Sequence, residues 1–588
     1  MGYLLMDGQK SSCKKTKFYR SFSFFLATLL ICLGLYGITT CLRASHVVSA
    51  KNCIKNNIAD VSGENLGNYI GDLLNSNIRS EQTIGKNEKI LSRDFPIAMQ
   101  MNQENTIYVI KYDFDLDGVK VVIPERSVLK FRGGCIKNGT LVGNNTGIIA
   151  KKVTIFDTVC IEGTWNVGNI TSDWFTCVND NDLVQAFNLL SDNVSNTIAV
   201  EKRDQDYWVD CQKGSTSYLT GVGILNVKSN TRCVINGTIR QRGHHSNYIY
   251  TIYLNNVENV ILEGSGTVYG EKELHNYQGV TPILPTDEDY KKNTQENNHI
   301  ITVLKSKNVY INGLTLKDST GDGIDILNYN ENKENHIVVE NFTIENCGRQ
   351  GISVTGSFIE IKHGSINKVD RTMPMSGIDI EISTNRTGDL EAHDIYVNDV
   401  NIANCYTGIQ SYTNPDKPAN IHDVKIENVK CSNVNRGFIF TEAIKNVILV
   451  SCNFDIIPSI DTKTLCLSTC DNFVAERCTI KCDKANCRNN WGWKVIRAGE
   501  SNDSDKRTVN TDFTLLRTGA RASKYKNNKS LFKKCVVYSP YTNLIKRANM
   551  NTTIEDCDIT CFRLKVITAP VNKIIKNSKV KVISEIRE

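Results

Sequence analysis

The chain is poor in the features that define most folds. Only 10 of its 588 residues are proline, and almost no stretch repeats apolar residues at helical spacing. No strictly placed Leu and Asn positions mark a leucine-rich repeat, and the internal period is too short for a propeller blade. No clean pair of CxxC motifs is present to suggest a structural metal site. A dense basic face is missing as well. The first 50 residues hold six Lys/Arg (Lys10, Lys14, Lys15, Lys17, Arg20 and Arg43) and one acid, Asp7, so the formal +6 of the whole chain falls to +1 for the rest. A near-neutral body excludes the charge-driven binding on which nucleic-acid recognition depends, so no nucleic-acid partner is expected.

The charge excess belongs to targeting. KKTKFYR precedes the apolar run SFSFFLATLLICLGLYGITTCL and the small residues of VVSA. This is the plan of a secretory signal, or of a retained N-terminal membrane anchor, over residues 1–50. Thr40 makes Cys41 a poor lipidation site. Either way the body is expected to be exported, to the periplasm, the cell surface or the medium, with any membrane contact confined to this segment.

Of 21 cysteines, Cys13, Cys32 and Cys41 precede residue 50, which leaves eighteen beyond it. In an exported protein these invite a disulfide reading. Many recur at one point of a repeat: Cys347, Cys405, Cys431, Cys452, Cys478, Cys535 and Cys557. Recurrence of that kind suits small buried stacking residues better than bridges. Cys466, Cys470, Cys482 and Cys487 are the weaker case for a metal site.

The repeat itself is short. GDGIDIL, GRQGISV, SGIDIEI, TGIQSY and RGFIF are entered by Gly323, Gly351, Gly377, Gly408 and Gly437, at spacings of 28, 26, 31 and 29 residues. Between them come NVYINGLTL, HIVVENFTI, FIEIKHGSI, DIYVNDVNI, DVKIENVKC and NVILVSCNF, each a strand, a turn residue and a strand. A period in the high twenties built from short strands predicts an all-β fold, a right-handed parallel β-helix whose coils bury their inner faces by stacking.

GDGIDI, CGRQGISVTGS and SGIDIEI resemble right-handed parallel β-helix proteins of the pectin-lyase-like superfamily. YDFDLDGVKVVIPERSVLKFRGGCIKNGTLVGNNT resembles the leading coils of such proteins in gut Bacteroidetes. DWFTCVNDNDLVQAFNLLSD, from Asp173, resembles their capping helix, with Val184, Phe187 and Leu190 at helical spacing. The resemblance covers most of residues 105–460. It implies an N-terminal capping region over 51–215, with leading β coils and a short helix, and a solenoid over 216–588. Long loops are expected at about 270–300 and 487–530. The fold leaves function open, since the superfamily holds lyases, hydrolases, epimerases and tail-spike proteins.

Registering the strands on their glycines gives two inward columns, Ile324, Ile352, Ile378, Ile409, Phe438 and Ile326, Val354, Ile380, Ser411, Phe440. Asp325, Ser353, Asp379 and Gln410 then face outward, followed by Leu327, Thr355, Glu381 and Tyr412. Asp325, Asp379 and Glu381 are expected to share one solvated ledge. Alternate residues of a strand lie roughly 6.5–7 Å apart and stacked strands roughly 4.8 Å. Asp379 and Glu381 therefore suit the roughly 6.5–9.5 Å acid–base separation of an inverting glycosidase.

Polygalacturonases offer the nearest motif comparison. TGDGIDI places Asp322 at the aspartate of their NTDGID-like strand, while Gln350 stands where a GHGISIGS-like turn would supply histidine. Glycosidic cleavage by Asp379 and Glu381 is the first reading, with Asp322 or Asp325 assisting and Arg349 orienting the sugar. β-Elimination is the second, with Arg349 stabilising an enolate and His275 as base; Ca²⁺ would belong only to that reading. A non-catalytic glycan-binding solenoid is the third. No other cofactor and no protein metal site is expected, and the partner is a polysaccharide. Lys362 and His363 are further candidates, and Gln350, Tyr412, Trp491 and Trp493 are expected to contact sugar. The insertion from Gly270 carries His275, Tyr277 and Tyr290. DFDLDGVKVVIPE, from Asp113, imitates a Ca²⁺ loop but reads as a turn into a strand.

Overall fold

The computed structural model describes residues 63–76, 87–211, 214–215, 221–276, 297–328, 335–382, 391–411, 420–458, 464–482, 486–488, 495–497, 514–518, 528–545, 548, 551–564 and 574–583. The N-terminal 50 residues, Tyr277, Tyr290, Tyr412, Trp491 and Trp493 lie outside them. The chain divides into two compact units, residues 1–65 and 66–588, and the second carries the fold.

That unit is a right-handed parallel β-helix, the hand that parallel crossovers take. Through much of the large sheet a strand pairs with the strand three positions later, so three strands complete a coil; where two merge into one long strand, as in Ile359–Val369 and Glu391–Cys405, the partner comes two positions later. One face stacks β1 (Ile249–Asn255), β2 (His299–Leu304), β3 (Ile324–Leu327), β4 (Gln350–Thr355), β5 (Ser376–Ile380), β6 (Thr407–Ser411), β7 (Arg436–Phe440) and β8 (Thr464–Ser468). All neighbours in this stack pair in parallel.

The glycine registration holds residue by residue. Ile324, Ile352, Ile378, Ile409 and Phe438 are successive partners and all fully buried. The glycines beside them have a steric cause. A Cβ on Gly351 would lie 2.5 Å from Ile366 Cγ2 and 2.6 Å from the Gly377 carbonyl oxygen, and one on Gly377 would lie 2.4 Å from Ile402 Cγ2 and 2.8 Å from the Gly408 oxygen. At this inner bend the next coil and the far wall occupy the space a side chain would need.

Corners are made by residues in the left-handed region, where a short amide tolerates positive φ. Asn259 (φ 58°) and Asn308 (φ 52°) are two of them. They also stack, Asn308 Nδ2 donating to Asn259 Oδ1 and Asn259 Nδ2 to Asn230 Oδ1, each at 3.0 Å. The recurring cysteines, all buried free thiols, fall in three inner rows rather than one: Cys452, Cys478, Cys535 and Cys557 stack in the first, Cys347 and Cys405 share a second through Val369, and Cys431 is in register with Ile402 in a third. Cys478, Cys535 and Cys557 each donate to the carbonyl two residues earlier. All sixteen cysteines whose state the structure gives are free.

A second, seven-stranded parallel sheet between residues 87 and 165 makes the leading coils. Its inner residues, from Leu91 to Trp165, join the same apolar core that continues to Ile574. The Asp113 segment is a turn into strand, with Asp117 (φ 49°) and Gly118 (φ 76°) at the bend before Lys120–Val122. Helix α1 spans Gly63–Ser76; its Leu66, Ile70 and Leu74 cover Ile261, Tyr310 and Val338 on the outside of the solenoid. Helix α2, Asp182–Phe187, inserts Leu183, Ala186 and Phe187 into the core, with Leu190 following. Val184, expected on that face, is only partly buried, because the helix is short and turned one residue from the anticipated stripe. Among the described residues no helix is long and apolar enough to cross a membrane.

Candidate functional site

The outer side of the same stack carries two polar columns. Thr302, Asp325, Ser353, Asp379 and Gln410 are successive partners along one. Gln350, Ser376, Thr407 and Arg436 are successive partners along the other. Asp322 precedes Gln350 by one coil, its neighbour Gly323 donating to the Gln350 carbonyl at 3.1 Å. Side chains that alternate out of the core on stacked strands have no other course than to meet here.

These columns are not the solvated ledge expected from the sequence. Asp322, Asp325 and Asp379 retain 0, 3 and 1% of their accessible surface. Lying outside the core does not make them exposed, because Gln350, Gln410, His299 and Arg349 pack against them. Glu381 is the surfaced member, its side chain 34% exposed.

Arg349 joins the carboxylates. Its Nη1 donates to Asp322 Oδ2 at 2.9 Å and its Nη2 to Glu381 Oε1 at 2.8 Å. Gln350, anticipated as a sugar contact, is fully buried, and its Nε2 donates to Asp379 Oδ2 at 2.7 Å. Gln410 Nε2 donates to the same oxygen at 2.7 Å. Two amide donors on Oδ2 leave Asp379 Oδ1 buried without a partner. Burial, then the adjacent Glu381 charge, pushes the Asp379 carboxyl well above its usual range, against the opposing pull of Gln410 and Arg349. When the carboxyl holds a proton, Oδ1 is the oxygen left to carry it, since Oδ2 already accepts two amide donors.

His299 was not anticipated. It stands one coil before Asp322, and continuing the polar column backward from Asp322 through NNHIITVL would have reached it. Its Nδ1 accepts the Asp322 backbone N–H at 2.9 Å, so the neutral ring carries its proton on Nε2, which faces Asp325 Oδ2 at 3.5 Å. Burial, reinforced by Arg349, holds its pKa well below the usual histidine value. A flat stack on Tyr250, with centroids 5.5 Å apart, fixes the ring.

His275 falls in a neighbouring cluster. Its Nδ1 lies 2.6 Å from Glu271 Oε2, and its ring meets His244 edge-on at 5.4 Å. Asn298 Nδ2 donates to Glu271 Oε1 at 3.3 Å, tying this cluster to the turn before His299. His275 is buried and bound to Glu271, so the loop does not deliver it to Asp322 as an open base. Lys362 and His363 are elsewhere. Lys362 is buried between Glu360 and Glu340, at 2.9 and 3.5 Å, on another face; His363 is an exposed corner residue (φ 52°) paired with Asp399.

Two trios have metal-ligand composition, His299 with Asp322 and Asp325, and His244 with Glu271 and His275. In both, a histidine Nδ1 accepts a backbone N–H, from Asp322 to His299 and from Ser246 to His244 at 3.2 Å. In the first trio the nitrogen turned toward Asp325 is thereby the protonated one; in the second, His244 Nε2 also meets Gln241 Nε2 at 2.8 Å and His275 faces Glu271 through Nδ1.

No protein-family model matches the chain, and no curated protein matches it. Among solved structures it is similar to a hyperthermoactive exopolygalacturonase from Thermotoga maritima, at 12% identity and a TM-score of 0.38 over 70% of this chain and 91% of that one. It is also similar to the tailspike protein of Escherichia coli bacteriophage HK620, in complex with a pentasaccharide, at 11% identity and a TM-score of 0.42 over 69% of this chain and 68% of that one.

Proposed function

We propose that this exported β-helix is a glycoside hydrolase acting on a polysaccharide, with Asp379 as general acid and Glu381 as the base that activates water. The observation that carries the reading is the contrast between two carboxyl groups on one strand end. Asp379 is buried and its carboxyl pushed well above the usual range, whereas Glu381 is ion-paired to Arg349 with a side chain 34% exposed. Opposed environments for two neighbouring acids are how a single site supplies acid and base at one pH.

Alternate positions on a strand separate the two by roughly 6.5–7 Å, room for a water opposite the leaving group, which favours inversion. Protonating the glycosidic oxygen requires it to come within about 3 Å of Asp379 Oδ1. Glycan binding must therefore part the cover over Asp379. Arg349 positions Glu381, and Gln350 and Gln410 aim the Asp379 proton.

Elimination from a uronate would need a cation free to stabilise an enolate. Arg349 instead spends both arms on carboxylates, which favours hydrolysis. Incubation with a polysaccharide panel separates the readings: new reducing ends without ultraviolet-absorbing unsaturation support hydrolysis, reducing ends accompanied by such unsaturation support elimination, and retention without cleavage supports a binding solenoid. Asp379→Asn and Glu381→Gln should each remove turnover while the protein stays folded; undiminished cleavage in both would refute the assignment.

A further inference from the structure

The polar column that begins at Asp322 and Gln350 ends at Arg436, three coils beyond Gln350 through Ser376 and Thr407. Arg436 differs from Arg349. Among the described residues no carboxylate pairs with it, and its Nε is buried without a hydrogen-bond partner. The guanidinium sits 5.2 Å over the ring of the half-buried Tyr406, which holds it in place without neutralising it. The neighbouring Asn435 amide is fully buried and also lacks partners on both polar atoms. Unsatisfied buried donors next to a partly open face are costly unless something comes to meet them.

Around Asp379, the charge pattern is the reverse. Asp322, Asp325 and Glu381 are acids, and the local guanidinium is already shared between two of them. A negatively charged sugar ring placed over the acid pair would meet repulsion. Asp379 and Arg436 are separated by two coils, Asp379 being in register with Gln410 and Gln410 with Ile439 of the Arg436 strand. Two coils are about 10 Å along the solenoid axis.

Resting on the glycan reading above, we propose that Arg436, seated on Tyr406, is a subsite for an anionic substituent, a carboxylate or a sulfate ester, on a sugar displaced from the bond that Asp379 and Glu381 address. The ring at the acid pair itself is uncharged. The planar guanidinium seated over the tyrosine carries paired donors matched to either oxyanion.

The test measures binding rather than turnover, on the full-length Asp379→Asn protein, by calorimetry at low salt. The probes are three oligosaccharide series: neutral, partly uronated, and partly sulfated. At least about tenfold tighter binding of an anionic series than of the neutral one is expected. Arg436→Gln should abolish that preference and Arg436→Lys should keep part of it, with added salt weakening the anionic series alone. Comparing the uronated and sulfated series tells which oxyanion is read. Equal binding of neutral and anionic probes, or a preference that survives Arg436→Gln, overturns the proposal. If the preferred glycan binds through Arg436 yet the wild-type protein releases no reducing ends from it, hydrolysis fails and the subsite stands.

Discussion

Arg349 stands between Asp322 and Glu381, one guanidinium nitrogen 2.9 Å from the buried acid and the other 2.8 Å from the exposed one. It thereby links three coils that are distant in sequence. Arg349→Leu would strand the fully buried Asp322 charge, at a cost of about 3 kcal/mol. The Glu381 arm adds little, since that carboxylate is a third exposed. Chemical denaturation should show the loss, with Arg349→Lys falling between.

The raised pKa of Asp379 makes stability depend on pH in a defined direction. Between its ordinary value of 3.8 and its raised folded value, the folded protein binds the proton more tightly than the unfolded chain. That contribution is complete below pH 3.8 and is lost as pH rises through the folded pKa. Asp379→Asn should therefore flatten the decline in melting temperature from acidic to neutral pH. An unchanged slope would mean the carboxyl is ionised throughout.

His299 carries the opposite sign. Its depressed pKa gives a contribution that is present above the ordinary value of 6.5 and lost as pH falls through the folded value. His299→Gln, which keeps a side-chain acceptor, should reduce the acid sensitivity of melting relative to wild type.

Gln410 supplies a hydrogen bond that favours ionised Asp379. Gln410→Leu should raise the Asp379 pKa further. In a pH–rate profile the basic limb, where the general acid loses its proton, should move to higher pH even as the maximal rate falls. A merely structural role for Gln410 would lower the rate without moving the limb.

Gly377→Ala places a methyl group 2.4 Å from Ile402 Cγ2 and 2.8 Å from the Gly408 oxygen. Overpacking of this kind costs about 1–3 kcal/mol. The shift in urea midpoint should exceed that of Gly71→Ala, where no atom lies within 4 Å of the added carbon.

Among the described cysteines Cys160 is the exposed one. Burial pushes the Cys466 thiol up to about 12 and blocks reagent access. Alkylation of the native protein should reach Cys160 well before Cys347, Cys431 or Cys466, and peptide mapping distinguishes them; unfolding should erase the difference.

The coil period, the glycine bend, the two inward columns and the burial of the recurring thiols were legible in the sequence because each repeats, although the thiols divide among three rows. Backbone pleating turns such recurrence into register without reference to the rest of the molecule. It therefore placed Asp325, Ser353, Asp379 and Gln410 in one row. What the row experiences was decided by tertiary structure. Only the folded chain buries Asp379, turns the Gln350 amide onto it and spans Asp322 and Glu381 with one arginine. His299 belongs to a coil lacking the GDGIDI-type motif, so the glycine registration stopped short of it, although one further step of the same register places it beside Asp322. Periodicity specifies which side of a strand a residue takes, whereas burial, protonation and pairing depend on what the rest of the chain brings against that side.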